Sequence, residues 1–446
     1  MTGLVLALLL AATPPRYGGA LEVVVPGEVA APNPAQARTP AALTLARAGC
    51  LPWLTVGPGG ALQPGLIDLP EPSGLAIALH LRSDLRGAGG KAVRGSALVA
   101  KLGALAAPGN PYRALTLPLR GPLSVSSDGA LRGGLAFAYP DWPQALTQAA
   151  TCLAGTGAFT SPARSGRAKA NLACPAGRPF ADTLALRTAT ARNAARALSR
   201  GEAQVALMAL PRTGAAVTAP RAVATYLAVN PRRTQLAGVA PWVASHLDRA
   251  ELVRIFVPGP AEPLRGLLAP SIDPHPESPM PITASLPPIP AHLTLELLAP
   301  AGDARVAERL QVKLHDLGIA VKVTALPQAT LERRVGAGDY DAALVAIPAL
   351  PEPGLALAQV LLLAQPADEV RAELAQIGAG PDPAARRARA LSLSRALAPT
   401  LSVVPLYAQG LALTVTPQVH GLRFDGSGAL LLGDLWLEPG PGASAP

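Results

Sequence analysis

Leu293-Thr294-Leu295-Glu296-Leu297-Leu298, followed by Val306 to Leu317, Gly318, and Ile319 to Val323, is the stretch on which the fold turns. The first run alternates as a strand does, with a period of two. Val306, Leu310 and Leu314 recur every four residues and make the apolar stripe of a helix. Gly318 stops that helix, and Ile319 to Val323 reads as the next strand. Leu331 to Val335 is a further helix and Tyr340 to Ile347 a third strand. Strands alternating with helices imply a mainly parallel sheet with both faces covered, an α/β architecture.

The pattern extends in both directions. Upstream, Thr183 to Arg187 alternates as a strand, Thr190 to Arg200 is a helix ended by Gly201, and Val205 to Met208 is a short buried strand, a second βαβ unit. Ala224 to Asn230 is extended, Ala240 to Phe256 reads as one helix, and a proline-dense connector runs from Pro258 to Pro290. Nearer the start, Tyr17 to Val25 is a strand closed by Pro26-Gly27, and Leu75 to Arg82 is another. Residues 87–135 are turn-rich, Leu146 to Leu153 has a helical period, and Ala158 to Ala173 reads as a hairpin turning at Ser165-Gly166. Helices continue to Leu397, and strands are expected at 403–407, 411–415 and 429–437. No repeat of fixed period is present.

The 446 residues include 43 Gly and 49 Pro, which excludes fibrous and long-helix proteins, while 50% hydrophobic and 15% charged residues exclude a disordered chain. The length suits two or three domains, or two lobes visited more than once. Only 5 Phe, 4 Trp and 6 Tyr are present, so the core must be a broad one of Ala, Leu and Val. The net charge of +9 comes from arginines scattered along the chain rather than clustered beside aromatics, so a nucleic-acid partner is not expected. The densest run, Arg386-Arg387-Ala388-Arg389, reads as a solvated helix face.

Met1 to Thr13 carries the apolar run Leu4 to Ala12, too short to span a bilayer but matching a signal-peptide core, so residues 1–15 are expected to direct export. No cysteine follows closely enough to take a lipid. Of the three cysteines, Cys152 and Cys174 bracket the hairpin-like segment. A disulfide between them would close a loop of about 22 residues and contribute about 3 kcal/mol in an oxidising compartment; three unpaired buried thiols are the alternative. Gly87 to Ala92 lacks the hydroxyl and spacing of a phosphate loop. Neither a G-x-S-x-G elbow nor an H-E-x-x-H helix occurs, and the six histidines stand alone. No enzyme, metal site or cofactor is expected.

Several short motifs, in order, resemble the extracellular solute-binding proteins of family 5, the peptide and nickel receptors of ABC importers. Gly18-Gly19-Ala20-Leu21 with Asn33-Pro34, Gly60 to Leu66, and Leu79-His80-Leu81-Arg82 are similar to the family's opening segments. Gly155-Thr156-Gly157-Ala158-Phe159 looks like its G-T-G-P-F turn, and Gly201 to Ala206 its G-E-V-D-V-A. Tyr226 to Asn230 resembles the outgoing crossing strand, His246 to Val253 the A-I-D-R-E-A-L-V helix, Ala337 to Ala342 the G-D-Y-D-A turn, and Val404-Pro405-Leu406-Tyr407 the returning strand. The likeness covers roughly residues 17–438. It departs in the segment Gly90 to Val99, which lacks its acid, and in Ala346 to Pro353, where the tryptophan and paired aspartates are missing.

The resemblance implies a bilobal type II periplasmic-binding-protein fold, with two mixed sheets joined by crossing strands. Residues 16–228 and 405–438 would form the first lobe, 229–404 the second, and 439–446 a disordered tail. It also implies a monomer outside the cytoplasm, periplasmic or extracellular, that closes on a solute, an oligopeptide first of all, and delivers it to importer permease subunits. Tyr226, Asn230, Pro405 and Tyr407 would be the hinge. Glu352 would hold a ligand amine, and Arg232 or Arg233 a carboxylate. A non-transporting descendant acting as a structural or sensory partner would instead fill the cleft with its own side chains, and an exported enzyme would show a converging nucleophile and base.

Overall fold

The computed structural model describes residues 15–26, 33–57, 60–71, 74–160, 166–210, 215–257, 259–274 and 293–438. The expected leader, apart from Pro15, and the expected tail 439–446 lie outside the described residues, as does most of the proline-dense connector. In chain order the strands of the two large sheets are β1 (Ala20–Val25), β2 (Arg167–Lys169), β3 (Thr183–Thr188), β4 (Val205–Ala206), β5 (Ala215–Thr218), β6 (Val223–Val229), β7 (Ala261–Pro263), β8 (Thr294–Pro300), β9 (Ala320–Leu326), β10 (Ala342–Pro348), β11 (Val403–Gln409) and β12 (Ala412–Val415).

The first sheet has the order β5-β12-β4-β1-β3-β2 and the second β7-β11-β6-β10-β8-β9. Both are mixed. In the first, β1 runs parallel to β3 and β4, with Val23 opposite Leu186 and Val205, while β2, β5 and β12 pair antiparallel. In the second, β8 runs parallel to β9 and β10, while β6 and β11 are antiparallel.

The βαβ unit read first from the sequence stands at the far edge of the second sheet. Helix Ala304–Asp316 lays Val306, Leu310 and Leu314 against Leu295, Leu297 and Ile319. Gly318 ends it at φ +86°, a left-handed conformation that a side chain would disfavour. The single helix expected over Ala240 to Phe256 is two, Val239–His246 and Arg249–Phe256. The break has a cause: Asp248 caps the second, its side chain accepting from the Glu251 N–H at 3.0 Å.

The chain changes sheet twice, between β5 and β6 over residues 219–222 and between β11 and β12 at Gly410-Leu411. The strands β6 and β11 therefore lie wholly in the second sheet, side by side. The crossings touch: the Ala219 N–H donates to the Leu411 carbonyl at 2.9 Å, and a Cβ at Gly410 would sit 2.5 Å from the Ala219 carbonyl oxygen. Tyr226 is on β6, Asn230 follows its last residue, and Pro405 and Tyr407 are on β11. A bulge pairs Thr225 with Tyr407 but Tyr226 with Pro405, accommodating a proline that cannot donate to the ladder.

In the first lobe, the helix expected over Leu146 to Leu153 is replaced by a 3-10 turn, Ala149–Thr151, and a short strand, Leu153–Ala154, that pairs with Cys50–Leu51. That register makes Cys152 a near neighbour of Cys50. The disulfide is Cys50–Cys152, with Cα atoms 5.5 Å apart, and Cys174 is free and buried. The expected Cys152–Cys174 bridge is thus corrected: a pairing made by strand register across 102 residues takes precedence over the local hairpin. Among the described residues no helix is long and apolar enough to cross a membrane.

Candidate functional site

The lobes meet along an apolar core to which both contribute, including Trp53, Leu115 and Trp142 from the first and Leu355, Leu357 and Leu374 from the second. Helix Pro353–Leu361 is buried at every position, so it behaves as an interior helix wedged between the lobes. Polar fastenings flank it. Arg386, on helix Pro383–Leu397, meets Asp141 of the first lobe through Nε–Oδ2 and Nη2–Oδ1 contacts of 2.5 and 2.8 Å, and both residues are buried. The Tyr139 hydroxyl donates to Glu352 at 2.5 Å, and Gln359 donates to the Pro111 carbonyl at 2.8 Å.

Two glycines allow a closer approach next to Pro111. Gly109 and Gly336 bring the loop after residue 107 directly onto the backbone of helix Gln328–Ala337. A Cβ at Gly109 would lie 2.0 Å from the Glu332 carbonyl oxygen, and one at Gly336 2.4 Å from that of Pro108.

Beside this contact is a cavity of about 570 Å³ whose walls come from both lobes, within the range that holds small ligands. Arg38 and Arg113 enter it from the first lobe, and Asn230, Arg232, Glu332 and Gln365 from the second. Arg38 is buried and spans the lobes, its Nη2 2.5 Å from Glu332 Oε1. It stacks 5.3 Å from the Tyr112 ring centroid. Burial pushes the Tyr112 hydroxyl pKa up to about 12, with the Arg38 charge opposing the rise. Asn230 is fully used: its Nδ2 donates to the Gly338 and Tyr340 carbonyls, and its Oδ1 accepts from the Arg232 N–H. Its side chain thereby shapes the turn that presents Arg232.

The residues expected from the sequence separate here. Arg232 and Asn230 line the cavity. Arg233 does not; it turns to Asp341, 3.6 Å away, beside a different hollow. Glu352 is buried as the N-cap of its helix, accepting from the Gly354 and Leu355 N–H groups at 2.9 and 2.7 Å as well as from Tyr139. Burial raises its pKa despite those hydrogen bonds. Tyr226 is buried and donates to the Leu267 carbonyl at 2.6 Å, and Tyr407 is buried within β11.

Arg386 departs from the solvated face expected for 386–389. It is the buried member of the run, on one stripe with Ala390 and Ser394, whereas Arg387 and Arg389 are exposed. That spacing of four was the available signal. Nothing local marks Arg38, Arg113 or Glu332, which tertiary packing brings together. Among the described residues no group of three or more potential metal ligands occurs.

No protein-family model matches the sequence, and no curated protein matches it. Solved structures do. The peptide-bound ABC transporter-associated periplasmic binding protein DppA of Helicobacter pylori superposes with a TM-score of 0.75 at 15% identity, over 95% of this chain and 99% of that one. The murein tripeptide binding protein MppA of Escherichia coli gives 0.70 at 14%, over 94% and 98%. The unliganded open form of MppA gives 0.58 at 14%, over 95% and 98%. The fold is that of the bilobal periplasmic binding proteins, as the sequence resemblance implied.

Proposed function

We propose that this protein is an exported solute-binding protein that takes up a small solute between its lobes and presents it to the permease subunits of an ABC importer. The observation that carries this reading is the two-lobed cavity, because a ligand touching both Arg113 and Arg232 stabilises the closed arrangement by as much as it prefers that arrangement. A short peptide is the occupant that the sequence resemblance and the ligands of DppA and MppA suggest. It would be held by main-chain groups and by an arginine on its carboxylate. Arg232 is the notable candidate, while Arg233 and Glu352 are already engaged.

Native mass spectrometry of freshly purified protein should reveal a bound small molecule. Adding that molecule at a hundred times its Kd should stabilise the fold by about 2.7 kcal/mol. Mass spectra without adducts, and melting curves unmoved by peptides, sugars, nickel and opines, would oppose the reading. A second reading, a non-transporting descendant serving as a structural or sensory partner, is favoured by the core that runs continuously between the lobes. It expects no stabilising solute.

A further inference from the structure

We infer, resting on the receptor reading, that the cavity takes a small anion bearing no free ammonium group, a carboxylate above all. The inference comes from counting which polar groups on the cavity wall are already used. Among the described residues Glu332 is its only carboxylate, and Arg38 and Gln328 both contact its Oε1, at 2.5 and 2.9 Å, so its charge is already matched by Arg38. Asn230 is saturated, and Gln359 donates through Nε2 to the Pro111 and Pro348 carbonyls while its Oε1 accepts from the Leu350 N–H.

What remains is mainly donors. Among the described residues the guanidinium groups of Arg113 and Arg232 have no ion pair or side-chain hydrogen bond, and they come from opposite lobes. Arg38 is 6% exposed, and its Nε is buried without a partner. Two unpaired cations on the walls of one hollow favour an anion there, and an anion reaching both would draw the lobes together as it binds. Gln365 Oε1 is a buried acceptor left open, matched by a hydroxyl or amide N–H on the ligand. Glu352, the acid that would have received an ammonium, is capping a helix behind the wall. A short peptide fits this wall only when its amino end is blocked; an unblocked one, the occupant suggested above, does not.

The test is isothermal titration of the intact protein with five probes. Succinate, citrate and N-acetyl-dialanine carry carboxylates without ammonium, dialaninamide carries ammonium without carboxylate, and maltose is neutral. At least one carboxylate probe should bind, with affinity falling about tenfold for each of Arg113→Gln and Arg232→Gln. Arg333→Gln, an exposed position outside the cavity that makes the same change in charge, should leave it unchanged. Binding of dialaninamide or maltose alone would overturn the anion assignment and leave the receptor reading standing. Carboxylate binding that survives both substitutions would overturn the assigned site. No binding by any probe, in protein shown by mass spectrometry to be free of ligand, would count against both.

Discussion

Replacing Asp141 with alanine removes the carboxylate from a pair whose geometry predicts a large penalty. Arg386 and Asp141 are 5% and 9% exposed and meet through two contacts of 2.5 and 2.8 Å. At an effective dielectric near 20, charges about 4 Å apart attract by about 4 kcal/mol. Once the carboxylate is gone, the guanidinium keeps its Nη1 contact on the Gly380 carbonyl at 3.1 Å. A stranded buried charge costs about 3–5 kcal/mol. Because the pair joins the two lobes, the loss should show both as a lower urea midpoint and as a larger radius of gyration by X-ray scattering before unfolding. Trp142, next in sequence and buried in the shared core, reports the transition by fluorescence. Adding Arg386→Met removes the stranded charge and should recover much of the loss. A penalty below about 1 kcal/mol for Asp141→Ala, or no recovery in the double variant, would show that this pair does not hold the lobes together.

Gly336→Ala should cost about 1–3 kcal/mol or part the lobes, since its Cβ would meet the Pro108 backbone at 2.4 Å; unchanged stability and scattering would refute the close contact. Non-reducing peptide mapping should link Cys50 to Cys152, with Cys174 alkylated only after denaturation. Reduction should lower stability by about 4–5 kcal/mol, the value for a loop near 100 residues, and a fragment joining Cys152 to Cys174 would contradict the register described. Burial raises the folded pKa of Glu352 above its ordinary 4.5, so the native state holds the proton more tightly. Its contribution is therefore complete below pH 4.5 and is lost as pH rises toward the folded value. Urea titrations should show wild type losing stability relative to Glu352→Gln across that interval, and the opposite slope would refute the assignment.

The sequence made the second lobe's sheet readable because each of its units is local. Leu293 to Val323 contains two strands, their helix and the stopping glycine within one short span, so periodicity alone suffices. β6 and β11 were legible as strands, Tyr226 and Tyr407 lying in runs apolar enough for a buried sheet, but the points where the chain changes sheet, at 219–222 and 410–411, were not. Nor was the cavity. Arg38, Arg113, Arg232 and Glu332 come from four separate segments, and only Arg232 lay beside a motif that drew notice. The disulfide was misread for the same physical reason: its partner strand is remote, and a nearby cysteine in a plausible hairpin is indistinguishable from it by spacing. Glu352 and Arg386 show the complementary limit, since a charged residue beside proline or in an arginine run reads as surface, and its burial depends on partners, Tyr139 and Asp141, more than 200 positions away.

The position of β12 between β5 and β4 has a bearing on how this chain comes to be assembled. Among the described residues from Val223 to Gln409 the strands pair only with one another, so this sheet can assemble before the first is complete. The first sheet must wait with a vacant slot until residues 412–415 arrive, a long-range closure of the kind that slows folding. Cys50 and Cys152 are both in place well before that moment, so their covalent staple is available to hold the unfinished host while its guest forms.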